Sequence, residues 1–306
     1  MTAVRVGFRP PHELFEDGGR LADTIHQAEA LGVDRVCVGD HVSFRDGQGF
    51  DGLIQATAAA VLSSRLLVQT AVYLLPLRHP LPVARQVASL AGLAPGRFMF
   101  GVGVGGDDRA EVELCGVDPA TRGRRMDEAL CIVRPLLAGE EVTFDGEFFQ
   151  IKGARIRPAP SAPVPIVVGG RSDSALRRAA RLGDGWLALW VSPERYADGT
   201  AQVEAQAAAV GRAGVDWQHG LHAWCGLAAT REQARRLVAA AMEDLYGVAF
   251  ERFERWVPYG TAEDVAAALN PYLDAGCRDI NLIPVAADQN EAVEGVAEVR
   301  RLLNRR

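Results

Sequence analysis

Short apolar runs alternate with amphipathic ones along nearly the whole chain. Residues 4–8 (VRVGF) form an apolar run of strand length, and residues 19–31 then place Leu21, Ile25 and Ala28 on one helical face before Gly32 ends the pattern. The same rhythm predicts further strands over 35–38, 66–72, 98–102, 166–168, 186–189, 221–227 and 279–283. Between them the 3.6-residue period predicts helices over 53–63, 82–90, 109–114, 121–137, 174–182, 193–210, 231–245 and 262–275. VTFDGEFFQI, residues 142–151, reads as a hairpin turning at Asp145 and Gly146.

Eight strands alternating with helices predict an α/β protein with a parallel sheet. No Pro/Gly/Ser-rich linker or change of composition divides the series, so residues 1–306 are read as one (β/α)8 TIM barrel with an insertion after strand four, about residues 104–160. In such a barrel the chemistry gathers where strands end at their C-terminal side.

Composition narrows the partners. The chain has 306 residues, 48% hydrophobic and 24% charged, enough apolar content to bury a large core. Its net charge is −6 and it has no basic run, which favours a small-molecule substrate over nucleic acid or an anionic membrane. No apolar run approaches the length of a membrane span, the first twenty residues lack a signal-peptide core, and the five cysteines form no CxxC pair, so a cytoplasmic location is expected.

At the strand ends stand Asp40 and His41, then Thr70, Ala71 and Val72, then GVGVGG at 101–106, then Val168, Gly169, Gly170, Arg171 and Ser172. GVGVGG has the GxGxxG spacing of a dinucleotide loop, but it follows the fourth strand rather than the first. Asp127 and Glu128, about twenty residues on, lie in a helical run rather than at a strand end. Its glycines are read instead as keeping the barrel mouth clear for a flat ring. The stretch from Gly169 to Ser172 runs into a helix, where backbone amides, the helix dipole, a guanidinium and a hydroxyl suit a phosphate; the same residues also suit a tight turn with Ser172 as N-cap. His41 is a candidate acid or base beside the carboxylate of Asp40, or a histidine that caps a loop. Asp107 and Asp108 fit a solvated loop or helix cap better than a catalytic pair. His219 and His222 fall on opposite faces of a strand, against a shared metal.

Five segments in order carry a resemblance to a known family: VCVGDHV (36–42), TAVYLLPLRHPLPVARQVASLAGLAPGRFMFGVGVGG (70–106), GVDPATRGRRMDEAL (116–130), PVPIVVGGRSDSALRRAARLGDGW (163–186) and YGTAEDVAAAL (259–269). The chain resembles the luciferase-like monooxygenase superfamily, most of all its coenzyme F-420-dependent oxidoreductases. The resemblance implies a barrel with a flavin or deazaflavin at the C-terminal strand ends, and in many members a homodimer. It places Asp40 and His41 at the reacting ring as the catalytic pair. It places Thr70, Ala71 and Val72 at a strand-three bulge with a non-prolyl cis peptide between Ala71 and Val72, and Gly103, Gly105 and Gly106 beneath the ring. Val168, Gly169, Gly170, Arg171 and Ser172 match the phosphate-binding turn, and Asp184 matches an aspartate that fixes the turn into strand six. The chain departs from the family after GVGVG, where a Trp or a catalytic Glu often stands and this chain has Gly106, Asp107 and Asp108.

The function so implied is hydride transfer between the C5 atom of coenzyme F-420 and a small organic substrate, with His41 as proton donor or acceptor. The alternatives are an FMN-dependent two-component monooxygenase served by a flavin reductase, and a flavin-binding relative without chemistry. Phe8, Arg9, Phe44, Tyr73 and Trp190 are candidates for shaping the substrate pocket, and Arg171, Arg177 and Arg178 for a basic exit along the cofactor's acidic tail.

Overall fold

The structure, a computed structural model, describes residues 3–105 and 108–305. In chain order the elements begin with β1 (Arg5–Phe8), α1 (Gly18–Ala30), β2 (Arg35–Val38), α2 (Gly52–Leu62), β3 (Leu67–Thr70), α3 (Pro80–Leu93) and β4 (Phe98–Val102). An insertion follows with α4 (Arg109–Leu114), α5 (Arg122–Leu137) and the hairpin β5 (Val142–Asp145) and β6 (Gln150–Ala154). The alternation resumes with β7 (Ile166–Gly169), α6 (Asp173–Leu182), β8 (Gly185–Leu189), α7 (Pro193–Ala209), β9 (Gly220–Leu227) and α8 (Arg231–Tyr246). It ends with β10 (Tyr259–Gly260), α9 (Ala262–Asp274), β11 (Asp279–Val285) and α10 (Gln289–Leu303).

The strands hydrogen-bond in the order β10-β9-β11-β1-β2-β3-β4-β7-β8, and β8 pairs again with β9. Eight strands therefore close on themselves, with the two-residue β10 appended to β9. This is the expected (β/α)8 barrel, and the registers resolved along it are parallel.

Contacts group the chain into two units. The first comprises Met1–Cys37, Leu187–Gln202 and His219–Arg306. Val6, Phe8, Val36, Ile280 and Leu282 are fully buried in it, and so nearly is Arg35, whose Nη1 binds Asp279 and, at 3.1 Å, Asn281 Oδ1. Gly7 makes that polar cluster possible, because a Cβ there would lie 2.9 Å from both Arg35 Cβ and Asn281 Oδ1. The final helix α10 is absent from the sequence expectation. Asp288 caps it by accepting from Glu291 N at 2.9 Å, and Val293, Val296, Val299 and Leu303 bury one face. Arg300 on that helix holds Asp34, which in turn accepts from Val6 N at 2.8 Å.

The second unit comprises Val38–Trp186 and Val203–Gln218. Val68, Phe100, Val102, Val167 and Val168 on its strands are buried, as are Leu130, Ile132 and Val133 on α5, which packs against α3 and α6. Glu128 supports the hairpin by accepting from the amides of Glu147, Phe148 and Phe149 at 2.7, 2.9 and 3.2 Å. Asp184 fixes the turn into β8, accepting from Ile166 N at 2.9 Å and pairing with Arg134 at 2.8 Å. Asp40, His41, Glu111 and residues 70–72, 101–105 and 168–172 belong to this unit, whereas the pocket candidates Phe8, Arg9 and Trp190 belong to the first.

Candidate active site

The structure separates the two members of the expected catalytic pair. Asp40 is 3% exposed, and both its oxygens are occupied. They accept from Gly52 N at 2.8 Å, from Leu74 N at 2.8 Å and from both terminal nitrogens of Arg78 at 2.5 and 2.8 Å. Burial pushes the Asp40 carboxyl upward while the guanidinium and the two amides oppose it. Arg78 also lies over the Tyr73 ring, 4.3 Å from its centroid. The expected pairing of Asp40 with His41 is not what the structure shows: Asp40 clips the loops after β2 and β3 together, and its oxygens are taken up by Gly52, Leu74 and Arg78.

His41 finds its carboxylate elsewhere. Its Nδ1 lies 3.1 and 3.3 Å from the oxygens of Glu111, seventy positions along on the short helix α4. Glu111 is 3% exposed and also accepts from Val42 N at 2.6 Å and Ser43 N at 3.1 Å. A carboxylate only accepts, so Nδ1 carries the proton and Nε2 is the nitrogen left for exchange. The imidazole packs on Phe44, ring centroids 4.3 Å apart, and its side chain stays 31% exposed. Asp108 caps α4 as expected and holds the same loop by accepting from Arg45 N at 2.6 Å; Asp107 lies outside the described residues.

Burial raises the Glu111 carboxyl, but the hydrogen bonds from His41, Val42 and Ser43 outweigh it and leave it below the ordinary glutamate value. Its contribution to stability is complete above the unfolded-state value and disappears as pH falls through the lower folded value. Thermal melts between about pH 3 and 6 are expected to show an acid-side loss of stability that is diminished in Glu111→Gln.

The segment after β3 packs against Gly101 in β4, Gly103 just after it and Gly169 at the end of β7. Thr70 is fully buried and donates its hydroxyl to Gly101 O at 2.7 Å, Ala71 N donates to Val38 O at 2.7 Å, and Tyr73 N returns to Gly101 O at 2.8 Å. The Ala71–Val72 peptide is cis. A Cβ on Gly101 would overlap the Thr70 carbonyl, and one on Gly103 would overlap Val72 Cγ2. One on Gly169 would come 2.7 Å from Val72 Cγ1. The two glycines thus make room for Val72 rather than for a ligand, which corrects the reading of a bare backbone floor: the half-buried Val72 is the surface they carry. Gly105 has φ +69°, a Cβ there would lie 3.4 Å from Leu74 Cδ2, and Gly106 lies outside the described residues. Gly103→Ala is expected to cost about 1–3 kcal/mol in denaturant unfolding, and Val72→Ala in the same chain to restore part of it.

Val168 is buried in β7, and Gly170, at φ +125°, turns the chain toward α6 and accepts from Trp186 Nε1 at 2.5 Å. Ser172 caps α6, its Oγ accepting from Ala175 N at 3.2 Å, so the N-cap reading of this turn holds in the structure. Its hydroxyl proton, the exposed Arg171 head and the positive end of a ten-residue helix still suit an anion, with Asp173 in the first turn opposing them. Arg178 is not part of a basic exit: it is 8% exposed and bound to Asp127 at 2.5 Å and Gly123 O at 3.0 Å. Arg177 is exposed and bonds Ser174 Oγ at 2.9 Å.

The other pocket candidates divide. Phe8 and Tyr73 are core residues, 0% and 1% exposed, while Phe44 stacks on His41. Arg9 is half-buried in the first unit. Trp190, also in the first unit, takes φ +52° and packs on Tyr246 and Phe253, centroids 5.4 and 4.8 Å away. Glu111 is the residue that sequence reasoning missed. Its sequence signal was no more than a glutamate beside the apolar Val112 in the helical run 109–114; its meeting with His41 is set by tertiary packing.

Comparison with known proteins bears on the family and the fold. A Beutenbergia cavernae protein named F-420-dependent glucose-6-phosphate dehydrogenase is 38% identical over 189 residues, 60% of this chain and 56% of the relative. The chain spans little more than half the length of the curated relatives it matches. Among solved structures, an F-420-dependent secondary alcohol dehydrogenase in complex with an F-420-acetone adduct superposes with a TM-score of 0.85 at 20% identity, covering 99% of both chains. The monooxygenase RslO1 from Streptomyces bottropensis superposes at 0.79 with 22% identity, covering 98% of both, and these two show the fold alone. The model of luciferase-like monooxygenases matches residues 4–304, and the chain belongs to that family.

Proposed function

We propose that the protein is a coenzyme F-420-dependent oxidoreductase that moves hydride between the deazaflavin C5 and a small organic substrate. The observation that carries this reading is the His41 imidazole, partly exposed, with Nδ1 held by the buried carboxylate of Glu111. A two-electron reduction of an organic group by hydride needs one proton, and the reverse reaction releases one. His41 is built to exchange it at Nε2, because Glu111 fixes the tautomer and the ring plane. Asp40 and Arg78 position the loop that bears His41 without touching the reactants.

The donor set fits the cofactor. Val72 offers an apolar surface for a flat ring, and Arg171, Ser172 and the start of α6 offer a cation, a hydroxyl and a helix dipole for its phosphate. When bound, the deazaflavin supplies a carrier of hydride. The 38% identity to a protein named for F-420 supports the deazaflavin over FMN.

Titration of the purified protein with coenzyme F-420 and with FMN, followed by ligand fluorescence, tests the reading. Saturable binding of F-420 with weak or no binding of FMN is the expected result. Tight binding of FMN alone would sink it in favour of an FMN-dependent monooxygenase served by a flavin reductase.

A further inference from the structure

The first unit contains a half-open cavity of about 380 Å³, within the size range of small-molecule sites, whose lining includes none of the strand-end residues of the candidate active site and shares only Trp190 with the pocket candidates. Trp190, Trp256, Tyr259 and Tyr272 give it aromatic walls, and Leu269 an apolar one. Such walls favour a flat, apolar ligand body.

Charge at the cavity is one-sided. Glu254, an acid in the lining, is already engaged: it accepts from Arg235 at 2.7 and 3.2 Å and from the Tyr259 hydroxyl at 2.8 Å. Arg235 is likewise shared between Glu254 and Glu251. Arg231 and Arg255 are different. Arg231 donates to the Tyr259 carbonyl at 3.2 Å and lies over that ring at 4.4 Å, and Arg255 lies over the Trp256 ring at 3.9 Å. Among the described residues neither is hydrogen-bonded or ion-paired to a carboxylate in direct contact; the charge of Arg231 reaches Glu254 and helps to lower its carboxyl, while Glu254's oxygens are filled by Arg235 and Tyr259, so both guanidinium edges remain suited to an anion that arrives with a ligand. His222 also lines the cavity; it is 5% exposed, and its Nδ1 has no hydrogen-bond partner among the described residues. Burial and the charge of Arg9 push this imidazole down to about 3, so it is neutral at pH 7 and adds no second charge to be matched.

We propose that this cavity binds a small aromatic monocarboxylate, its ring between the aromatic walls and its carboxylate at Arg231 and Arg255. The assignment does not rest on the deazaflavin reading. It concerns only this cavity and is tested without cofactor.

The probe is 2-naphthoate, added to the protein as isolated and followed by tryptophan fluorescence and calorimetry. Saturable binding of one molecule per chain is expected. The uncharged analogue 2-naphthalenemethanol, and the Arg231→Gln/Arg255→Gln variant with 2-naphthoate, are each expected to bind about tenfold more weakly or worse. Ala268→Trp, an exposed position at the lining, is expected to block binding with the melting temperature unchanged. Absence of saturable binding, equal affinity for acid and alcohol, or full affinity in both variants would overturn the proposal. Because F-420 is titrated separately, failure here leaves the proposed function standing, and failure there leaves this site standing.

Discussion

His41→Ala is expected to lower turnover by about 10²–10⁴-fold while the deazaflavin still binds, because the change removes the group proposed to exchange the proton and leaves the turn proposed for the phosphate intact. The imidazole is anchored through one nitrogen, so its loss frees Glu111 from one of three donors and leaves the Val42 and Ser43 amides in place. The loop is expected to hold its position and the fold to persist. Glu111→Gln distinguishes orientation from mere packing. A glutamine is nearly the same size, but its amide can meet Nδ1 as donor or acceptor, so the tautomer is no longer imposed. The expected signature is a fall in kcat with cofactor affinity preserved and a pH–rate profile of altered shape, which a purely structural role would not produce. Unchanged turnover in His41→Ala would remove the residue from the chemistry altogether.

The second large effect is on stability. Asp40→Ala is expected to cost about 3–5 kcal/mol, read as a lower denaturant midpoint at unchanged slope. The reason is what the change leaves behind: the Arg78 guanidinium, 18% exposed, loses its bidentate partner, and the amides of Gly52 and Leu74 lose an acceptor in a buried setting. Asp51, 3.1 Å from Arg78, remains as a partial substitute. Asp40→Asn keeps the shape and one acceptor and is expected to fall between the two. Asp40 and His41 adjoin in sequence, yet their substitutions are expected to read out in different experiments, one in unfolding and the other in turnover.

Much of the architecture was legible because it rests on local patterns. The eight barrel strands and the helices between them follow from apolar runs and the 3.6-residue period, and 35–38 and 98–102 were read to the residue. Strand three, expected over 66–72, is three residues shorter, running from Leu67 to Thr70. The chain leaves the sheet after Thr70 and returns at Tyr73 only as a single bridge to Val102, a departure written in tertiary contacts rather than in the β-favouring side chains of 71–73. Helix α10 carried its own signals, Asp288 as cap and a spaced row of valines, but it follows the eighth strand where the repeat already looked complete. The site was legible as strand ends and not as partners. Asp40 beside His41 suggested a pair, whereas successive residues leaving a strand point apart, and the carboxylate that reaches the imidazole comes from seventy residues away. The glycines of GVGVGG were visible as a pattern, but what fills the space beside them, Val72, is set by the packing of three strand ends.

The loop that carries His41 is fastened by acids on α4 that take hold of its main chain, at the amides of Val42, Ser43 and Arg45. Main-chain fastening is indifferent to side-chain identity, proline excepted. Val42, 47% exposed, and its neighbour Ser43 can therefore be exchanged for residues of other size and polarity without shifting the imidazole. If His41 exchanges the proton as proposed, the rim beside it is free to diversify while the imidazole stays registered, so exchanges at these two positions would change which substrates are admitted without displacing the dyad.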